Sequence, residues 1–267
     1  MDIFLLTLLC IFFLSIGSFS SVLIHRLILM EFENTNVNLF YPRSYCINCN
    51  AKISLINLVP ILGYTLQSGR CKTCNKSISI EYLIHEITHL VAGFGIYFFE
   101  GFSYLSIITY LLFSIFYVIL ICDLKKFYLP IYLNILIIII AVISAYFEII
   151  LIEGHGLLNF SNTFLSLIGF FTGYFFLWFI NFVYKLFKKE EGIGGGDFIL
   201  LGGIGSIVGP LLIALIVMLG SLSTLAIMFF NLKDFKKELP LGAGLIFGFF
   251  IYIILKYFEL FSLTSVI

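Results

Sequence analysis

The chain has 267 residues and no net formal charge, with apolar side chains at 61% and charged ones at only 11%. Mean hydropathy is +1.12, and Phe alone fills 32 positions. A soluble domain of this length needs a charged exterior that these residues do not supply, and no basic surface for a nucleic-acid partner is expected, so the bilayer is the solvent for most of the chain.

Apolar runs near 20 residues match a hydrocarbon core about 30 Å thick at a rise of about 1.5 Å per residue. In chain order they predict an all-α polytopic membrane protein of about eight transmembrane helices, at 3–25, 83–99, 103–122, 129–151, 162–184, 197–208, 210–231 and 241–259. The first starts almost at Met1, but it lacks a basic preceding region and a small-residue cleavage site, and Arg26 follows it; it reads as an anchor. The sixth is short and rich in glycine, with its border to the seventh at Gly209-Pro210. Alternating these spans gathers the positive charges on one side. The loops 26–82, 123–128, 185–196 and 232–240 hold all but Lys256 of the 15 Lys and Arg residues, among them Arg26, Lys125, Lys126, Lys233, Lys236 and Lys237. Those loops are expected in the cytosol and both termini outside.

The segment 26–82 is the one substantial polar stretch, so the chain divides into a first transmembrane helix (1–25), a cytosolic segment (26–82) and a transmembrane core (83–267). "CINC" at Cys46–Cys49 and "CKTC" at Cys71–Cys74 are two C-x-x-C pairs with 21 residues between them. Each pair presents two thiolates from a tight turn, and two such turns complete a tetrahedral site for zinc. Disulfides are disfavoured in the cytosol, and four thiolates leave no open position, so a structural zinc bound by Cys46, Cys49, Cys71 and Cys74 is expected. Cys10 and Cys122, in apolar spans, read as small hydrophobic residues.

"HEITH" at 85–89 opens the second span and fits H-E-x-x-H, in which two histidines one turn apart bind zinc and the glutamate acts as base. An intramembrane zinc protease at His85, Glu86 and His89 is therefore an alternative, but no partner motif supplies a third ligand. His155 falls in a loop on the opposite side of the predicted membrane.

Two acids sit at membrane boundaries on one side. Asp123 ends the third span in "YVILICDLKKFYLP", and Asp197 opens the sixth in "EEGIGGGDFILLGGIG". Ionisable residues at such depth are costly, and function is their default reading. Two carboxylates held close share a proton, so that one serves as base toward water and the other as acid toward a carbonyl, the chemistry of an aspartic protease. Gly194-Gly195-Gly196 leave room for a peptide backbone beside Asp197. The alternatives are a helix cap at Asp197, a juxtamembrane acid paired with lysines at Asp123, and a non-enzymatic membrane scaffold or transporter with the zinc cysteine module as a docking site and Asp197 as an ion ligand.

In order along the chain, "GSFSSVLIHRL", "YPRSYCINCNAKIS", "NLVPILGYTLQSGRCKTCNKSIS", "DLKKFYLP", "GIGGGDFILLGGIG" and "LPLGAGLIFG" resemble the prepilin peptidases, the type IV leader peptidase family of G-x-G-D membrane aspartic proteases. The resemblance implies that Asp123 and Asp197 are a catalytic pair and that the four cysteines are the family's zinc set. It implies removal of the short basic leader of type IV prepilins and pseudopilins at the cytosolic face of the bacterial inner membrane. N-methylation of the new N-terminus with S-adenosylmethionine is implied on the same ground. Four positions depart from the family's pattern. Ile131 follows Pro130 in place of an acid, Ile199 replaces a lysine, and the late Pro-Phe-Gly-Pro is here Pro240-Leu241-Gly242-Ala243.

Overall fold

Helix is the only extended regular element among the described residues, which are 3–33, 38–149, 160–230 and 239–258 of a computed structural model. Long runs of Leu, Ile and Phe need a backbone that satisfies its own hydrogen bonds in hydrocarbon, and a helix does so within one segment. The chain clusters into two units, Met1–Tyr110 and Leu111–Ile267.

The first unit holds α1 (Ile3–Phe32), a 3₁₀ turn (Leu55–Leu58), the short α2 (Leu62–Leu66) and α3 (Glu81–Glu100). α1 and α3 cross closely at Gly17, where a Cβ would lie 2.7 Å from the Glu86 Cα. Phe13 packs against Gly93 and against the Tyr110 ring, whose centroid is 4.7 Å away.

The second unit holds most of α4 (Tyr104–Lys126), then α5 (Ile131–Tyr146), α6 (Asn162–Lys188), α7 (Gly195–Val208), a 3₁₀ turn (Pro210–Leu212), α8 (Ile213–Phe230) and α9 (Leu241–Tyr257). Two seams of glycine hold it together. On α6 and α7, a Cβ at Gly169 would sit 2.0 Å from the Gly205 carbonyl oxygen, and one at Gly173 would sit 2.5 Å from that of Leu201; these helices run antiparallel. On α8 and α9, a Cβ at Gly248 would meet the Gly220 nitrogen at 2.5 Å. Small residues let backbones approach where lipid supplies no hydrophobic drive. α5 runs in the same direction as α7: Leu129 packs at Gly196, and Ile137 and Ile138 pack at Gly203.

The helix positions follow the predicted spans with two differences, in α1 and α4, and they keep the predicted border at Gly209-Pro210. α1 continues to Phe32 instead of ending at residue 25, so Arg26 lies inside the helix. Its guanidinium is buried and donates to the carbonyls of Asn38 (3.1 Å), Leu39 (2.7 Å) and Pro42, which offsets the cost of the charge. α4 continues to Lys126, which puts Asp123 within the helix and not just beyond it. The Gly209-Pro210 border is a true break, because Gly209 has φ of 85°.

Four helical stretches are long and apolar enough to cross a membrane: Ile3–Phe32, Tyr104–Lys126, Asn162–Lys188 and Pro210–Phe229. α5, α7 and α9 are apolar but shorter, and α3 carries His85, Glu86 and His89 in its first half. Residues 150–159, 231–238 and 259–267, with His155, Lys233, Lys236, Lys237 and the far ends of three predicted spans, lie outside the described residues.

Candidate active site

The second unit brings the two boundary acids into one neighbourhood. Asp123 is 4% exposed and Asp197 9% exposed, so both carboxylates are withdrawn from solvent. Leu129 links them. Its side chain fills the space beside Gly196, next to Asp197, and also the space beside Gly242. A Cβ at Gly242 would in turn lie 3.1 Å from Asp123 Oδ2.

The two acids are held differently. The Ala243 N–H, in the first turn of α9, donates to Asp123 Oδ2 at 2.6 Å. That amide is among the first donors of a helix, which have no partner within it. Asp197 occupies the first turn of α7, whose N-cap is Gly194 and not the aspartate itself. Its Oδ1 is buried with no hydrogen-bond partner. Upstream, Asn181 of α6 accepts from the amides of Gly192 (2.9 Å) and Ile193 (3.0 Å) and so fixes the turn that leads into the glycines. A Cβ at Gly195, the first residue of α7, would meet nothing within 4 Å, which leaves open space two residues before Asp197. Asn181 and the Ala243 amide were not among the residues singled out from sequence. A lone Asn near the end of an apolar helix is a signal for the first, whereas a backbone amide carries no side-chain signal.

In the first unit the four cysteines come together. The sulfurs of Cys46, Cys49, Cys71 and Cys74 all lie within 4.8 Å of one another, with Cys46–Cys74 and Cys49–Cys71 each at 3.9 Å. Zinc–sulfur bonds of about 2.3 Å in a tetrahedron require sulfurs about 3.8 Å apart, so this donor set fits the ion. The two turns are built alike. Cys46 N–H bonds Ala51 O and Asn50 N–H bonds Cys46 O; Cys71 N–H bonds Lys76 O and Asn75 N–H bonds Cys71 O. Asn50 (φ 56°) and Asn75 (φ 55°) take the left-handed conformation that asparagine tolerates. The amides of Cys74 and Thr73 pull the Cys71 thiol down to about 6. At Cys49 the Ala51 amide favours the thiolate, but desolvation and the Cys46, Cys74 and Cys71 thiols outweigh it and push the group up to about 12. A bound metal ion would favour the thiolate at all four.

His85, Glu86 and His89 are buried on α3, and among the described residues no third metal ligand joins the histidines; the cysteines are the one such group of three or more. His89 Nδ1 pairs with the Tyr110 hydroxyl at 3.2 Å. Glu86 accepts the Ile61 N–H at 2.7 Å, tying the 3₁₀–α2 segment to α3.

Known proteins resemble this chain in sequence. A family model described as the bacterial peptidase A24 N-terminal domain matches residues 11–99, and one described as the type IV leader peptidase family matches 110–230. A prepilin leader peptidase/N-methyltransferase of Vibrio cholerae is 31% identical over 259 residues, covering 94% of this chain and 97% of that protein. Proteins of the same name from Aeromonas hydrophila (29% identical, 88% of this chain and 86% of that protein) and Pectobacterium carotovorum (28% identical, 88% of each) are also similar. No solved structure matches the chain. With both matched regions in order and a relative aligned nearly end to end, the chain belongs to the type IV leader peptidase family.

Proposed function

We propose that this chain is a membrane aspartic endopeptidase that removes the leader of prepilins, with Asp123 and Asp197 as the catalytic pair. The observation that carries the reading is the pair of buried carboxylates on α4 and α7, gathered around Leu129. Like charges held close cannot both ionise readily, so the pair shares one proton. The ionised carboxylate takes a proton from water as the oxygen attacks the scissile carbonyl, and the protonated one gives its proton to the carbonyl oxygen. Collapse of the tetrahedral intermediate breaks the C–N bond and returns a proton to the leaving amine.

Several further features complete the proposal. α3, α5, α7 and α9 would join the four long apolar helices to make eight spans in a bacterial inner membrane. The Lys-rich loops and the cysteine module would be cytosolic, where the short basic leader of a type IV prepilin or pseudopilin remains while its hydrophobic helix stays in the bilayer. Zinc at Cys46, Cys49, Cys71 and Cys74 would fold a polar segment too small to bury a core. N-methylation of the new N-terminus, with S-adenosylmethionine as donor, is supported by the names of the relatives.

The test is cleavage of a prepilin in membranes by wild type, Asp123→Asn, Asp197→Asn and Glu86→Gln. Loss of cleavage in both aspartate variants, with Glu86→Gln active, is the expected result. Full activity in either aspartate variant would remove the pair from the mechanism, and loss confined to Glu86→Gln would transfer the chemistry to a zinc site at His85 and His89.

A further inference from the structure

Asn134 lies on α5, four residues beyond Pro130, and is 1% exposed. Neither its Oδ1 nor its Nδ2 has a hydrogen-bond partner. A buried carboxamide left unpaired at both ends costs more than any apolar residue of its size at that position, so packing alone does not account for it. Its place in the fold gives a reason. Ile137 and Ile138 pack at Gly203, and Asn134, three and four residues before them, shares their face of the helix. Leu129 packs at Gly196. Asn134 therefore meets α7 between Gly196 and Gly203, the stretch whose first turn carries Asp197. Asp197 Oδ1 is the other buried polar atom of that seam with no partner. Asn134 thus brings a donor and an acceptor to this seam and Asp197 a carboxylate oxygen, and Leu200 and Leu201 of the same turns of α7 are fully buried.

We propose that Asn134 is a positioning residue for the peptidase reaction, whose carboxamide holds the attacking water against Asp197. A carboxamide suits the role because it accepts a hydrogen bond from the water through Oδ1 and donates through Nδ2, while it neither gains nor loses a proton in the reaction. It orients the water's lone pair toward the scissile carbonyl and leaves proton transfer to the acids. The water contributes its oxygen to the new C–O bond and its proton to the ionised carboxylate, so Asn134 is unchanged at the end of the turnover. This inference rests on the reading of Asp123 and Asp197 as the catalytic pair.

The test uses the full-length protein in detergent or vesicles with a prepilin substrate and the variants Asn134→Thr, Asn134→Val and Asn134→Leu. Thr and Val have nearly the same shape and differ by a hydroxyl that donates and accepts. We expect kcat to fall at least about tenfold more in Asn134→Val than in Asn134→Thr, the worth of roughly one hydrogen bond, with KM unchanged in both. Asn134→Leu should lose cleavage yet melt no lower than wild type, because it removes two unpaired buried polar atoms. A residue that only packs would give the opposite pattern, with Val and Thr equal in kcat and any loss following the melting temperature. Equal kcat in Val and Thr overturns the proposal, as does an active Asn134→Leu. Asp197→Asn is assayed alongside. If it retains full activity, the catalytic pair itself fails; if it is inactive while Asn134→Val matches Asn134→Thr, the role of Asn134 alone fails.

Discussion

Replacement of Gly205 by alanine is a direct test of how α7, and Asp197 with it, is held. A Cβ there would stand 2.2 Å from the Gly169 carbonyl oxygen and 2.8 Å from Gly169 C. Both are backbone atoms, so no rotamer change relieves the clash, and α6 and α7 must part by about 1 Å to reach van der Waals distance. A gap of that size forfeits a quarter to a half of each dispersion contact at the crossing. It also stretches the bond from Ser166 Oγ to Ser206 O, now 2.8 Å and fully buried, which is worth about 1 kcal/mol. Together with the usual cost of overpacking, the expected loss is about 2–4 kcal/mol, or roughly 5–15 °C in melting temperature for a chain of this size. The assay is thermal unfolding of the full-length protein in detergent, with prepilin cleavage measured on the same samples. Gly95→Ala is the control. Its Cβ would meet nothing within 4 Å, and replacing a helical glycine should be neutral or stabilising by up to about 1 kcal/mol. A Gly205→Ala protein that melts within about 2 °C of wild type would refute the view that direct glycine contact sets the α6–α7 crossing.

Other expectations follow from individual contacts. Removing metal with a strong chelator, or substituting Cys71→Ser, should release about one zinc per chain and unfold the 44–79 segment, read by metal analysis and by proteolysis there; metal affinity should fall on acidification, as thiolates take up protons. Asn181→Leu strips the acceptor shared by the Gly192 and Ile193 amides and should cost about 1–3 kcal/mol and most cleavage, whereas Asn181→Asp should retain most of both. Glu86→Gln keeps an acceptor for the Ile61 N–H and should leave cleavage near wild type; Glu86→Ala removes it and should expose the 55–66 segment to protease.

What could be read in the sequence was what has a side-chain period or a spacing. Apolar runs placed the helices, and the Cys-x-x-Cys spacing placed four sulfurs that do converge. The two aspartates stood out because charge is rare in this chain, and the fold gathers them. Contacts through backbone were not legible. The amide that holds Asp123 belongs to Ala243, at a position where the related motif carries a proline; proline has no N–H, so the departure itself supplies the donor. Arg26 read as a charge that ends the first span, yet three carbonyls satisfy it inside the helix, because positive charge in sequence does not reveal which acceptors will surround it.

The glycines divide by neighbour, not by number. Gly194-Gly195-Gly196 drew notice as a run, and at Gly195 the open space beside the backbone agrees with room for a substrate. Gly169, Gly173 and Gly205 are scattered in apolar helices, yet their missing side chains are what allow α6 to lie directly on α7. A carboxylate withdrawn from water needs a rigid surround, since any slack would admit solvent or let the acid turn away. In this chain backbone touches backbone at the glycine seam, and Asp197 is placed one turn from where that seam begins. A substitution at Gly205 and one at Asn134 therefore differ in kind. The first should lower stability and activity together, while Asn134→Leu should lower activity alone, and comparing the two separates the frame of the site from the group that works within it.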